Sequence, residues 1–90
     1  MSFNFIIVPK LQKVFRKIAK KDNVLALAID KKIKQIIAYN YVSIDNFKNL
    51  RGNMGHLKGV HIGSFVLLFK VKGDTIIFES FTHHDKAYRR

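Results

Sequence analysis

The chain has 90 residues, no cysteine and a hydrophobic fraction of 48%. This composition predicts one globular domain over residues 1–90, and it excludes disulfides, thiolate chemistry and cysteine zinc sites. Seventeen Lys and Arg against six Asp and Glu give a net charge of +11, which favours a polyanionic partner, with nucleic acid ahead of a membrane surface. No apolar stretch approaches the roughly eighteen residues that span a bilayer and no signal-peptide pattern opens the chain, so the prediction is a cytoplasmic protein without membrane contact.

The N-terminal part predicts a strand followed by a helix. Residues Phe3 to Val8 alternate as a β-strand does. Pro9 ends that strand and suits the first turn of a helix, where its missing N–H costs nothing. Apolar residues then recur at helical spacing from Pro9 to Lys21, with lysines and an arginine on the remaining arc.

A second helix is predicted after a short break. Asp22 or Asn23 can cap it, and its apolar stripe extends from Val24 to about Tyr41. Residues 42–55 have no clear period and are rich in Asn and Gly, which predicts a loop.

Two Gly-containing pairs predict hairpin turns in the C-terminal third. Gly73-Asp74 separates two β-rich runs, and Gly63-Ser64 is a weaker candidate of the same kind. Both turns together predict a three-stranded antiparallel meander. The fold class is therefore predicted as α+β, in the order β-α-α-β-β-β, with an antiparallel sheet and both N-terminal helices packed on one face.

The register of the meander follows by counting from the two turns. Ile62 should face Phe65, and Val71 should face Ile76. Period-two alternation then places His61, Val66 and Phe81 side by side on the face away from the core, with His83 two residues beyond. The imidazoles would gather at one end of that face. The same face would also expose a protein-binding apolar patch, made of Val66, Leu68, Ile77 and Phe81.

Several segments together resemble a known family. They are Leu50-Arg51-Gly52, Lys58 to Ile62, Phe65 to Val71, and the ending His84-x-x-x-Tyr88. They look like the toxins of RelE/ParE-type toxin–antitoxin modules, most closely the RelE and YafQ branch of ribosome-dependent mRNA endonucleases. The predicted element order is also the order of that family.

The resemblance implies roles for particular residues. YafQ-like members have a catalytic histidine four residues before a terminal aromatic residue, which matches His84 and Tyr88, and a histidine in the first meander strand, which matches His61. An imidazole titrates near neutral pH, so His84 and His61 suit acid and base roles in cleavage through the 2′-OH without metal or cofactor. Positive groups would bind the RNA phosphates; the candidates are Arg51, Lys58, His83, Arg89 and Arg90.

The chain departs from the family at three positions. RelE-like members have an arginine in the apolar strand where this chain has Val66. YafQ-like members have an upstream histidine where this chain has Lys48, and a turn aspartate that aligns with Ser64 after a one-residue gap. The chain therefore keeps the histidines that match His61 and His84 and lacks the other expected groups.

Metal binding is not predicted. His83, His84 and Asp85 are adjacent, so in an extended chain they point to opposite sides, and no H-x-H or H-x-x-x-H spacing accompanies them.

Three functions remain open from the residues and the resemblance. The first is a toxin that cuts mRNA on the ribosome. The second is a ParE-like or degenerate member that inhibits another target or binds RNA without cutting it, and the third is a small nucleic-acid-binding protein without toxicity. For a toxin, the resemblance implies an acidic antitoxin that orders on binding to a monomeric toxin.

Overall fold

The computed structural model describes residues 3–38 and 57–87 of the chain. The elements, in chain order, are β1 (Asn4–Ile7), α1 (Pro9–Lys21), α2 (Asn23–Ile37), β2 (Lys58–Ile62), β3 (Phe65–Lys72), β4 (Thr75–His83) and a short helix, α3 (His84–Ala87). The bounds predicted for the first helix are confirmed. The second helix ends at Ile37, and its predicted end near Tyr41 lies outside the described residues, as does the predicted loop at 42–55.

Local signals account for both long helices. Pro9 occupies the start of α1, and the two basic residues Lys20 and Lys21 lie in its last turn, where they complement the negative end of the helix dipole. Asp22 then caps α2, because its Oδ1 accepts a hydrogen bond of 3.0 Å from the backbone N–H of Leu25. One residue therefore separates the two helices.

The sheet has the strand order β1-β4-β3-β2. Strands β2, β3 and β4 form the predicted antiparallel meander, and the α+β element order is confirmed. Strand β1 pairs parallel to β4, so the complete sheet is mixed. A parallel neighbour requires a long crossover, and here that crossover includes both helices and the first two strands of the meander.

Both hairpins turn at the predicted glycines. Gly63 has φ 59° and Gly73 has φ 61°, which a residue with a side chain adopts only with strain. The resulting register confirms two predicted pairs, Ile62 opposite Phe65 and Val71 opposite Ile76.

The main core lies between the helices and one side of the sheet, called here the helix side. Leu11 of α1 packs there with three isoleucines of α2 and with buried sheet residues. The buried set is Phe3, Leu11, Ile29, Ile33, Ile36, Ile62, Leu67, Phe69, Ile76 and Phe78. The predicted apolar stripes of both helices thus face the sheet.

A β-bulge in β4 changes the predicted register of the C-terminal residues. Phe69 pairs with Phe78, but its neighbour Leu68 pairs with Ser80, which leaves Glu79 as an extra residue without a partner across the strand. Every later residue of β4 is therefore shifted by one. The prediction that Phe81 lies beside Val66 is wrong: Phe81 pairs with Leu67 and faces the helix side.

The predicted exposed apolar patch on the opposite side of the sheet, called here the far side, is also wrong. Val66 and Leu68 are fully buried there and form a second small cluster with Leu57. Phe81 contributes to the helix side instead, where its ring lies edge-on to Phe15 of α1 at a centroid distance of 6.0 Å. The far side near β2 and β3 is consequently packed rather than open.

None of the described helices, α1, α2 and α3, is long and apolar enough to cross a membrane.

Candidate active site

Two histidine rings from different elements meet at one end of the far side. His61 of β2 pairs with the far-side residue Val66, so its own side chain leaves the sheet on that side. His84 begins α3, directly after β4. The ring centroids of His61 and His84 are 5.1 Å apart, with an angle of 34° between the ring planes. Both residues are exposed to solvent, so a ligand can reach both rings.

A backbone hydrogen bond fixes the position of His84. Its N–H donates to the carbonyl oxygen of Ser64 at 2.9 Å, which ties the start of α3 to the turn between β2 and β3. Because that turn ends the strand that carries His61, the same corner of the sheet positions both imidazoles. The register predicted that His83 would join His61 on this side, and that prediction is wrong: the histidine that meets His61 is His84.

His83 lies on the other side of the sheet. The bulge at Glu79 pairs His83 with Phe65 on the helix side, and the two rings meet edge-on at a centroid distance of 5.7 Å. Phe65 is itself stacked on Phe81 at 4.9 Å. His83 is thus the exposed end of an aromatic row, separated by the sheet from the His61–His84 pair.

Asp85 places a carboxylate near two histidines of this corner. Its carboxylate oxygens lie 3.7 Å from Nδ1 of His83 and 3.7 Å from Nδ1 of His84. Those distances exceed a hydrogen bond, and the Asp85 side chain is 83% exposed, so each ion pair contributes little. The Asp85 backbone N–H also donates to His83 Nδ1 at 3.3 Å, which orients that ring.

The predicted phosphate-binding residues are only partly placed, and His83 projects to the helix side, away from the histidine pair. Lys58 pairs with Phe69, so the backbone alternation of β2 directs it to the helix side, opposite to His61. Lys58 therefore leaves the sheet on the side opposite to the histidine pair. Tyr88, predicted as catalytic, lies outside the described residues, and so do Arg51, Arg89 and Arg90.

The family departure at Val66 has a structural counterpart. Val66 is fully buried in the cluster with Leu57 and Leu68, and its strand neighbours on either side are His61 and Thr82. The residue beside His61 is therefore a buried apolar side chain and not a charged one. Ser64, aligned with the family's turn aspartate, lies in the β2–β3 turn, and Lys48 lies outside the described residues.

Two groups near the pair were missed from the sequence. Thr82 shares the row of His61 and Val66 on the far side, where the uninterrupted register predicted Phe81. Asp85 is close to His84 because the chain turns into a helix at that residue. The adjacency of Asp85 to His84 was the available signal for the second, while the bulge that places Thr82 has no clear sequence mark.

Among residues 3–38 and 57–87, no group of three or more His, Asp or Glu side chains is arranged to hold a metal ion. The chemistry available from the described residues of this corner is proton transfer by two imidazoles.

Comparison with known proteins gives the family. No family model matches the chain. A protein of Methanocaldococcus jannaschii named "Putative toxin RelE4" is 39% identical over 87 residues, which cover 93% of this chain and 88% of that protein. An uncharacterized protein of Methanosarcina mazei is 35% identical over 85 residues, covering 88% of this chain and 91% of its own length. At this identity and coverage, the chain belongs to the RelE family of toxins.

Proposed function

We propose that this protein is the toxin of a toxin–antitoxin pair and that it cuts mRNA by metal-free acid–base chemistry at His61 and His84. The observation that carries the proposal is the approach of these two rings to 5.1 Å at a solvent-exposed corner. Two imidazoles at that separation can act on the two oxygens of one phosphodiester, and imidazole is the side chain used most often for general acid–base catalysis.

The reaction requires two proton transfers around one phosphorus atom. One imidazole accepts the proton of the 2′-OH, and the freed 2′-oxygen forms a bond to phosphorus. The bond from phosphorus to the 5′-oxygen of the next nucleotide breaks, and the other imidazolium donates a proton to that oxygen. The products are a 2′,3′-cyclic phosphate and a 5′-OH end, with one proton moved from one histidine to the other.

The strong positive charge supports an RNA substrate. A net charge of +11 on 90 residues attracts phosphate and raises the rate of encounter. The resemblance to RelE and YafQ toxins implies that the mRNA is presented by the ribosome. Cleavage of the same message with and without ribosomes would test that requirement.

Replacement of His84 by alanine tests the chemistry. His84 is exposed at the end of a strand, so its truncation should leave the fold intact. We expect the cleavage rate to fall by about two to four orders of magnitude, the usual cost of losing a general acid or base. Primer extension on cellular mRNA measures the cut, and detection of the cyclic phosphate identifies the mechanism.

His83→Ala is the matched control, because it removes an adjacent exposed imidazole from the other side of the sheet. It should retain most of the activity, while His61→Ala should resemble His84→Ala. Cleavage by His84→Ala at the wild-type rate, with a correctly folded protein, would remove the histidine pair from the mechanism.

A second function is favoured by one specific observation. Val66 is buried where RNA-cutting RelE relatives have an arginine, which suits a family member that arrests growth through another target or binds RNA without cutting it. Growth arrest on expression without new mRNA ends by primer extension would indicate this alternative.

The proposed antitoxin is an acidic protein chain. The apolar patch first expected to bind it does not exist, because Val66 and Leu68 are buried. The net charge of +11 remains as support, since an acidic segment that orders on the toxin would partly neutralise it. Co-expression with the product of the adjacent gene, followed by a toxicity assay, tests the pair.

A further inference from the structure

Helix α1 presents a continuous basic surface to solvent. Six of its thirteen residues are basic and none is acidic. All six are exposed, and none forms an ion pair with an acidic residue in the part of the chain that the structure describes. At 100° per residue they occupy the arc opposite the buried stripe; this basic arc consists of Lys10, Lys13, Arg16, Lys17, Lys20 and Lys21.

The basic arc is held rigidly. Leu11 of the same helix is buried in the main core, and Val14, Phe15 and Ile18 pack against that core. The basic side chains from Lys10 to Lys20 therefore extend over about 15 Å along the axis of an anchored helix. A row of charges on a straight, anchored support can meet several phosphates at once without first being ordered.

The chemistry of the basic arc selects the kind of partner. Its side chains are Lys and Arg, without an aromatic or large apolar group. A protein interface usually has an apolar centre, and surfaces for single-stranded nucleic acid interleave aromatic rings on which bases stack. A purely cationic rigid helix lacks both features. It suits the phosphate backbone of a double helix, where the bases are stacked inside.

The basic arc is also separate from the histidine pair. Helix α1 covers the helix side of the sheet, where Phe15 meets Phe81 at 6.0 Å, whereas His61 projects from the far side. We propose that the basic arc binds the backbone of double-helical RNA, while a different, single-stranded segment meets His61 and His84. The choice of RNA over DNA rests on the proposed function.

Three lysines of the basic arc can be neutralised without changing the helix, because Gln has nearly the same helix propensity as Lys. The test variant is Lys13→Gln, Lys17→Gln, Lys20→Gln. The matched control removes the same number of charges elsewhere and carries Lys31→Gln, Lys32→Gln, Lys72→Gln. Each protein is titrated with a fluorescent RNA hairpin duplex and with a DNA duplex of the same sequence, over a series of salt concentrations.

The expected result is a lower salt dependence for the α1 variant alone. Each lost phosphate contact removes about 0.9 from the slope of log affinity against log salt, so three contacts should reduce it by roughly 2 to 3. Between about 50 mM and about 200 mM salt, the α1 variant should then lose roughly forty-fold less affinity than the wild type. The control should retain nearly the wild-type slope.

Equal changes in both variants would overturn the proposal, because the effect would then reflect net charge and not the basic arc. A reduction of the salt dependence that occurs with the DNA duplex and not with the RNA duplex would overturn it as well. His84→Ala should bind the RNA duplex with wild-type affinity whether or not it cleaves mRNA. A failure of the cleavage mechanism is therefore distinguishable from a failure of the basic arc.

Discussion

An arginine at position 66, where the resemblance places one in RelE-like toxins, should destabilise this protein. Val66 has no exposed surface and packs with Leu57 and Leu68. Arginine adds four heavy atoms and a charge at this point. The extra volume alone costs about 1–3 kcal/mol, and an uncompensated buried charge raises the total to about 3–5 kcal/mol.

That cost is large compared with the whole stability of the domain, which for this length is of order 5–13 kcal/mol. Since one kcal/mol shifts the midpoint of a domain of this size by about 4–8 °C, Val66→Arg should lower the melting temperature by roughly 15 °C or more. Thermal unfolding followed by circular dichroism measures the shift.

Val66→Phe is the appropriate control, because phenylalanine adds the same four heavy atoms to valine as arginine does but carries no charge. It should cost only the overpacking part, about 1–3 kcal/mol. If the arginine and phenylalanine variants melt at the same temperature, the charge at position 66 reaches water and the cluster with Leu57 is not closed. The argument that burial explains the missing arginine would then be wrong.

Two further predictions concern the bulge in β4 and the cap of α2. Deletion of Glu79 should be tolerated, because the residue has no cross-strand partner. Its Oε2 lies 3.0 Å from Nζ of Lys70 but makes no hydrogen bond to the described residues, and this half-exposed ion pair contributes at most about 1 kcal/mol. A nuclear Overhauser contact between the rings of His61 and His84 should therefore persist in the deletion variant. Deletion of Thr82, which pairs with Val66, should abolish the contact between the two histidine rings. If the contact persisted in that variant, the register of β4 would be wrong. Asp22→Ala should cost about 1 kcal/mol in chemical denaturation by removing the cap of α2, whereas Asp22→Asn should cost little, and equal losses would show that the cap is not the reason.

The sequence predicted those features that depend on neighbouring residues. Pro9 marks the start of α1 by its fixed φ and missing N–H, and Asp22 marks the start of α2 by a side-chain hydrogen bond. The positive φ of Gly63 and Gly73 marks the turns. Counting from the turns gives the correct pairs until the bulge. After Glu79 each face is reversed, because one extra residue in a period of two moves every side chain to the other side.

The histidine pair was predicted only in part for the same reason. His61 lies before the bulge, and its face was predicted correctly. The residues of β4 that follow the bulge depend on a distortion between Leu68 and Phe69 that leaves no periodic signal. Likewise, the burial of Val66 depends on Leu57, which precedes the strand pattern. Tertiary packing of this kind overrides a face assignment made from alternation alone.

The position of β4 within the sheet has a consequence for the timing of folding. It is an interior strand between β1 and β3, and it is the last of the four strands to leave the ribosome during synthesis. Until then β1 has no hydrogen-bonding neighbour, since the pair Asn4 and Thr75 joins opposite ends of the chain. Such a non-local contact slows folding, and a nascent chain exposes unpaired edges meanwhile. His84 directly follows the strand that completes the sheet, so neither the complete sheet nor the histidine pair can form before that strand has been synthesised.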